Sequence, residues 1–156
     1  MATTYVSTKA GTGDPARLNL HADTLYCEFD IAAAVATAAN GGGGAGGTAF
    51  VINDIVQMVK VAPGTTVIDC VLAVDALDSS TGVVVAVGDG GVADRFITAS
   101  TIGRSAAAGV ARLNNAVGHL YLYSAADTID FKVTTAASGT ASTTGKVRLA
   151  VLVTAQ

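Results

Sequence analysis

The sequence predicts an all-β protein: an antiparallel β-sandwich, jelly-roll-like, with an extended N-terminal arm. Three observations carry this. Val, Thr, Gly and Ala dominate, while Glu, Lys, Met and Gln, which build long helices, are few, a balance that favours pleated, half-buried surfaces. Apolar residues recur at period two in segment after segment, each bounded by Gly, Pro, Asp or Ser, the pattern of strands with one buried face. About seven or eight such segments in roughly 130 residues, with no βαβ spacing between them, suit two packed sheets. The absence of an internal repeat of about 20 to 50 residues argues against a propeller or solenoid.

Residues 1–24 are small and polar, with Gly11, Gly13 and Pro15, and read as the arm; residues 25–156 read as a single sandwich domain. Its first strand centres on Leu25, Cys27, Phe29 and Ile31. Residues 40–47, Asn-Gly-Gly-Gly-Gly-Ala-Gly-Gly, suit almost any backbone geometry and no core, so a flexible surface loop is expected. In Ile52 to Val61, the residues Ile55, Met58 and Val59 also fit a helical spacing, yet the β-branched density favours a strand. Pro63-Gly64 then fits the centre of a type II turn, folding this strand back against the next as a hairpin.

Thr66 to Asp75 places Ile68, Cys70, Leu72 and Val74 on a core face and Asp69, Val71, Ala73 and Asp75 outside. Val83 to Val87 is a β-branched run ended by Gly88, and His119 to Tyr123 alternates as another strand. Between Ser105 and Asn115, alanines around Gly109 suggest one short helix. Ile129, Phe131 and Val133 alternate with Asp130 and Lys132, and Val147, Leu149, Val151 and Val153 with Lys146, Arg148, Ala150 and Leu152. The last of these strands ends the sheet and should not tolerate truncation.

Composition narrows the function. The length of 156 residues fits one domain. Leu, Ile, Val and Phe make up 41 of the 156 residues, more than a disordered chain carries. No stretch approaches the ~18 apolar residues of a membrane helix, and Met1 to Gly13 lacks the apolar core of a signal peptide. Charged residues are 13% of the chain, with a net charge of -3 and no runs, so neither nucleic acid nor membrane is an expected partner. Cys27 and Cys70 form no CxxC pair and read as reduced, structural thiols.

No motif carries chemistry. Gly88-Asp89-Gly90-Gly91-Val92-Ala93 has the form GxGxxA after a strand, but no long helix follows and Asp94 is succeeded by no acid before Asp127, so a Gly-rich turn is expected in place of a dinucleotide site. Asp75, Asp78, Asp89 and Asp94 match no calcium loop, and turn-forming aspartates account for them. A triad would need His21 or His119, and Ser105 in Gly-Arg-Ser-Ala-Ala lacks the second glycine of a nucleophile elbow. One Glu and no Trp leave little for glycosidase chemistry. Aromatic content of 5% disfavours stacking platforms for sugars or single strands, although Tyr121 and Tyr123 would share a face. No catalytic activity, cofactor or metal is therefore expected.

The stretch from Phe50 to Asp69, with Asn53-Asp54-Ile55-Val56 leading a strand and Lys60-Val61-Ala62-Pro63-Gly64 making a turn, resembles small virion proteins of tailed bacteriophages. The resemblance continues through Gly88-Asp89-Gly90, Asp94-Arg95-Phe96-Ile97, Ala126 to Asp130 and the closing Gly145-Lys146-Val147-Arg148, roughly residues 50–153. Ala62 stands where Pro-Ala-Gly is commoner. The family it implies is the head decoration, or cement, protein: a β-sandwich on the outer surface of the capsid that bridges neighbouring major capsid proteins. A head-fibre or tail-associated protein, or a non-viral carbohydrate-binding sandwich, is the alternative. With the resemblance, the major capsid protein and copies of the chain itself, as a homodimer or homotrimer, become the expected partners. Low charge and the outward Val71, Ala73 and Leu152 agree with self-association. In the arm, Tyr5, Val6, Leu18 and Leu20 are spaced apolar anchors, and Arg17 could pair with an acidic capsid edge. Such an arm would order only on docking, when its anchors offset the entropy lost.

Overall fold

The computed structural model of the chain describes residues 22–32, 49–105 and 109–155. Among these, nine strands form two antiparallel sheets. One sheet runs in the order β1 (Ala22–Asp30), β9 (Lys146–Ala155), β3 (Thr65–Val74), β6 (Gly109–Arg112), with the short β7 (Tyr121–Leu122) also pairing with β3. The other runs β2 (Ile55–Val61), β8 (Asp127–Thr135), β4 (Val84–Asp89), β5 (Ile97–Ser100). The pairs β1:β9, β2:β8, β3:β6 and β4:β5 are successive arms of one long hairpin wound over both sheets, which is the jelly-roll arrangement.

The core lies between the sheets. From β9 come Val147, Leu149, Val151 and Val153, from β8 Ile129, Phe131 and Val133, and from β3 Val67, Cys70, Leu72 and Val74, all buried. Each such side chain contributes about 1.5–3 kcal/mol by leaving water. Phe50 packs between the sheets, 6.0 Å from Phe29 of β1 and 5.6 Å from Phe131 of β8, centroid to centroid. Ile31, immediately after β1, is also fully buried.

Five local expectations are corrected. In β3 the residue facing the core is Val67, whereas Ile68 is only half-buried. Val67 pairs with Val153 and Asp69 with Leu152, so Ile68 is an inserted residue, and this bulge shifts the inward phase. The turn at Pro63-Gly64 forms, with Gly64 at φ 85° and the Thr65 amide donating to the Ala62 carbonyl at 3.3 Å. It does not close a hairpin: β2 pairs with β8 and β3 with β9, so the turn carries the chain from one sheet to the other.

In the expected helix between Ser105 and Asn115, residues 109–112 are instead the strand β6, paired with Val71–Val74 of β3. Sheet pairing there overrides a weak helical preference. The strand expected from His119 to Tyr123 shortens to Tyr121–Leu122, because a 3-10 turn at Ala116–Gly118 precedes it and Leu120 sits at φ 57°. Residues 22–24, read as the end of the arm, are the first three of β1, with Ala22 opposite Thr154. The rest of the arm and the Gly-rich loop at 40–47 lie outside the described residues.

Candidate functional site

The polar groups singled out above separate to the two ends of the sandwich. At one end the Gly-rich turn after β4 closes on itself. The Gly91 and Val92 amides donate to Asp89 Oδ1 at 3.0 and 2.8 Å, so the turn's own carboxylate fills the place a phosphate would need. Gly88 is required here, since a Cβ would lie 2.1 Å from the Val92 carbonyl oxygen.

Asp89 is also the centre of a buried network. Arg95 donates to it through Nε and, at 3.3 Å, through Nη2, and the Tyr123 hydroxyl donates to Oδ2 at 3.2 Å. The Arg95 guanidinium lies 3.8 Å above the Tyr121 ring, a cation–π contact, and Tyr121 meets Tyr123 edge-on at 5.0 Å. Burial raises the Asp89 carboxyl, but the Arg95 and amide hydrogen bonds outweigh it and hold the group below the usual carboxylate range. Burial, then the Asp89 charge, drives the Tyr123 phenol far up. A phenol and guanidinium so committed hold the fold and offer no acid or base.

At the opposite end Asp78 ties two loops together. Its carboxylate accepts from the amides of Ser80, Gly82 and Val83 in its own loop, and from Ser138 and Gly139 across, all at 2.9–3.1 Å. Burial raises this carboxyl, and the amide hydrogen bonds outweigh that and hold it well below the usual range. Asp75 instead accepts from Arg148 Nη1 at 3.0 Å and from the Lys146 amide at 2.9 Å. Asp75 and Asp78 are thus at one end and Asp89 and Asp94 at the other. Among the described residues no three His, Cys, Asp or Glu side chains gather as metal ligands.

Ser105 joins the Asp78 end through its amide, which donates to the Ser80 carbonyl at 2.8 Å. His119 follows the 3-10 turn whose Gly118 abuts Arg95, so these two residues stand at opposite ends and cannot act together. His21 lies outside the described residues. Both cysteines of the chain are free thiols; burial, followed by the Asp69 charge, pushes Cys70 up to about 12, which makes it inert.

What remains is surface. The outer face of the β1-β9-β3-β6 sheet carries Val71, Ala73, Ala150 and Leu152, all half-buried. Around them Glu28 pairs with Lys146 and, at 3.0 Å, with Arg148, and Arg112 pairs with Asp69. Tyr26, 61% exposed, stands at the β1 edge, the one exposed Phe or Tyr among the described residues. At the other edge Val110, Val117, Leu120 and Leu122 are all exposed. Leu120 takes a left-handed backbone conformation that disfavours branched side chains. The sequence signals for these surface residues were weak, because an isolated exposed apolar residue is ordinary. Tyr5, Val6, Arg17, Leu18 and Leu20 lie outside the described residues. No helix among those described is long and apolar enough to cross a membrane.

No protein-family model and no curated protein matches the chain. Three solved assemblies contain chains of similar fold. A chain of the cyanophage Pam1 capsid asymmetric unit is 22% identical, with a TM-score of 0.68 over 100% of both chains. One in the capsid of Ralstonia phage GP4 is 19% identical, at 0.65 over 91% of this chain and 90% of that one. One in the acid-stable capsid of Helicobacter pylori bacteriophage KHP30 is 16% identical, at 0.54 over 85% and 86%. At these identities the likeness is one of fold.

Proposed function

We propose that this chain is a structural protein of a phage virion, which binds the outer surface of the assembled capsid and bridges major capsid proteins to stabilise the head. The observation that carries the reading is the end-to-end match: a chain within a phage capsid has this fold over 100% of its own length and of this one. A jelly roll of this size suits an accessory layer in which each copy covers a junction. The surface supports it. Its polar centres are spent on holding loops, while apolar side chains stand exposed along the β6–β7 edge. Contacts of this kind repeat by symmetry, so individually weak ones add up.

The arm belongs to the same reading, with Tyr5, Val6, Leu18 and Leu20 as apolar anchors and Arg17 as the charged one. Ala22, the first residue of β1, stands opposite Thr154 near the end of β9. The test is to mix purified protein with undecorated shells of the cognate phage and image them. Added density on the outer surface over junctions between shell subunits is expected; density confined to a tail or fibre would overturn the reading.

A further inference from the structure

The sheet edges are not alike. Of the edge strands among the described residues, β5 and β6 have four residues each and β7 two. Pairing of β5 shifts register opposite Val85–Val87, and Ala99 within it lies at φ 45°. The strand β2 is longer but has a register shift between Gln57 and Val59. Bulges, short length and local kinks are among the devices that keep edges from pairing. The strand β1 has none of them: nine residues pair with β9 in unbroken register, and no residue in it has a positive φ.

We propose that β1 is the dimer edge of this protein, pairing antiparallel with β1 of a second copy about a two-fold axis through Tyr26. The occupant and the register both follow from the strand. Leu25, Cys27 and Phe29 turn inward, half-buried, while Thr24, Tyr26 and Glu28 are exposed. Two such strands can continue one sheet only if inward residues meet inward residues, which excludes every register offset by one. Of the registers left, full overlap of all nine residues puts Tyr26 opposite Tyr26.

The charges agree. In this register Asp23 stands opposite Phe29, Glu28 opposite Thr24 and Asp30 opposite Ala22, so no acid faces an acid. The excluded registers nearest to it would set Asp23 against Glu28 or Asp30, a destabilising pairing of like charges. Glu28 is already neutralised within its own copy by Lys146 and Arg148. Exposed Tyr26 gains an aromatic cross-strand partner, and four strands in line from each copy make a continuous sheet of eight. An isologous contact of this kind closes on itself and does not propagate.

The proposal does not depend on the capsid reading and is tested without shells. Tyr26→Cys, with Cys27→Ala to remove the adjacent thiol, places two identical sulfurs across the axis, within the ~4.5–5.5 Å Cα separation of directly opposed residues that a disulfide accepts. Mild oxidation should give a covalent dimer. Thr24→Cys in the same background should cross-link only when mixed with the Glu28→Cys protein. Light scattering of the unmodified chain at high micromolar concentration should give a dimer, and Tyr26→Lys, which sets like charges face to face, a folded monomer. A wild-type monomer or trimer would overturn the proposal, as would self-cross-linking at position 24 equal to that at 26. A monomer that still decorates shells would refute the edge pairing alone, and a Tyr26→Cys dimer, cross-linked by oxidation, that ignores them would refute the capsid reading alone.

Discussion

Tyr123 reaches from the β1-β9-β3-β6 sheet to Asp89 at the end of β4 in the other, donating its hydroxyl to the carboxylate at 3.2 Å. Both residues are buried. The tyrosine is anchored to its own sheet by its amide, which donates to the Thr65 carbonyl at 2.9 Å, and by its carbonyl, which accepts from Gly64 at 2.7 Å. The contact therefore links the crossover turn between β2 and β3 to the Gly-rich turn after β4, two features 25 residues apart from Gly64 to Asp89.

Removing that hydroxyl leaves Asp89 with Arg95 and two amides, so Tyr123→Phe should cost only about 1 kcal/mol in urea unfolding. Arg95→Ala removes the main charge partner of a buried carboxylate and should cost about 3 kcal/mol. If Tyr123→Phe proves the more damaging of the two, the phenol and not the ion pair organises this corner.

Acid and neutral pH should act through different aspartates. Asp78 and Asp89 have folded pKa values below their unfolded ones. The stability they add is complete above the unfolded value of about 4 and lost as pH falls through the folded values. Asp130 has the opposite sign. Its Oδ1 is buried without a hydrogen-bond partner, and burial, followed by the Asp127 and Asp89 charges, raises its pKa. It therefore costs stability at neutral pH, and that cost is relieved as pH falls through its raised value. As pH falls from neutral the urea midpoint should first rise slightly and then drop below about 4. Asp130→Asn should be more stable than the parent at pH 7 and lose the rise; an Asp130→Asn protein weaker than the parent at pH 7 would contradict this assignment.

The bulge in β3 makes a sharp contrast between neighbours. Val67→Ala should cost about 2 kcal/mol, as a fully buried large-to-small change does, and Ile68→Ala less than about 1 kcal/mol although isoleucine is the larger residue. Equal costs in chemical denaturation would place both side chains at the core.

That pair also marks how far the sequence was legible. Where alternation is uninterrupted, as in Ile129–Phe131–Val133 and Val147–Leu149–Val151–Val153, the inward face follows directly from periodicity. A single inserted residue such as Ile68 leaves no mark in composition and inverts the reading on one side of it. Pro63-Gly64 specifies a turn type but not which sheet each arm joins, because sheet membership depends on β8 and β9, far along the chain. The strand at Gly109–Arg112 exists because Val71–Val74 offers it a partner, a long-range cause that local propensity for helix cannot register. Asp78 and Asp89 were recognisable as turn formers from the small residues after them. That Ser138, Gly139 and Tyr123 complete their shells was not, since those contacts span 34 to 61 residues.

The N-terminal arm should matter for docking and not for folding. Deleting residues 2–20 leaves Ala22, the first residue of β1, in place, so the melting transition of the isolated protein should not change. Binding to shells should weaken. If the truncated protein decorates shells as tightly as the full chain, Tyr5, Val6, Arg17, Leu18 and Leu20 have no part in the contact.

The most direct measurement is co-sedimentation of the purified protein with undecorated cognate shells, followed by the temperature at which those shells disrupt. Saturable binding at a fixed ratio to the shell subunit, with a higher disruption temperature once saturated, is the predicted result. Protein that stays in the supernatant at high micromolar concentration, with shells disrupting at an unchanged temperature, would contradict it.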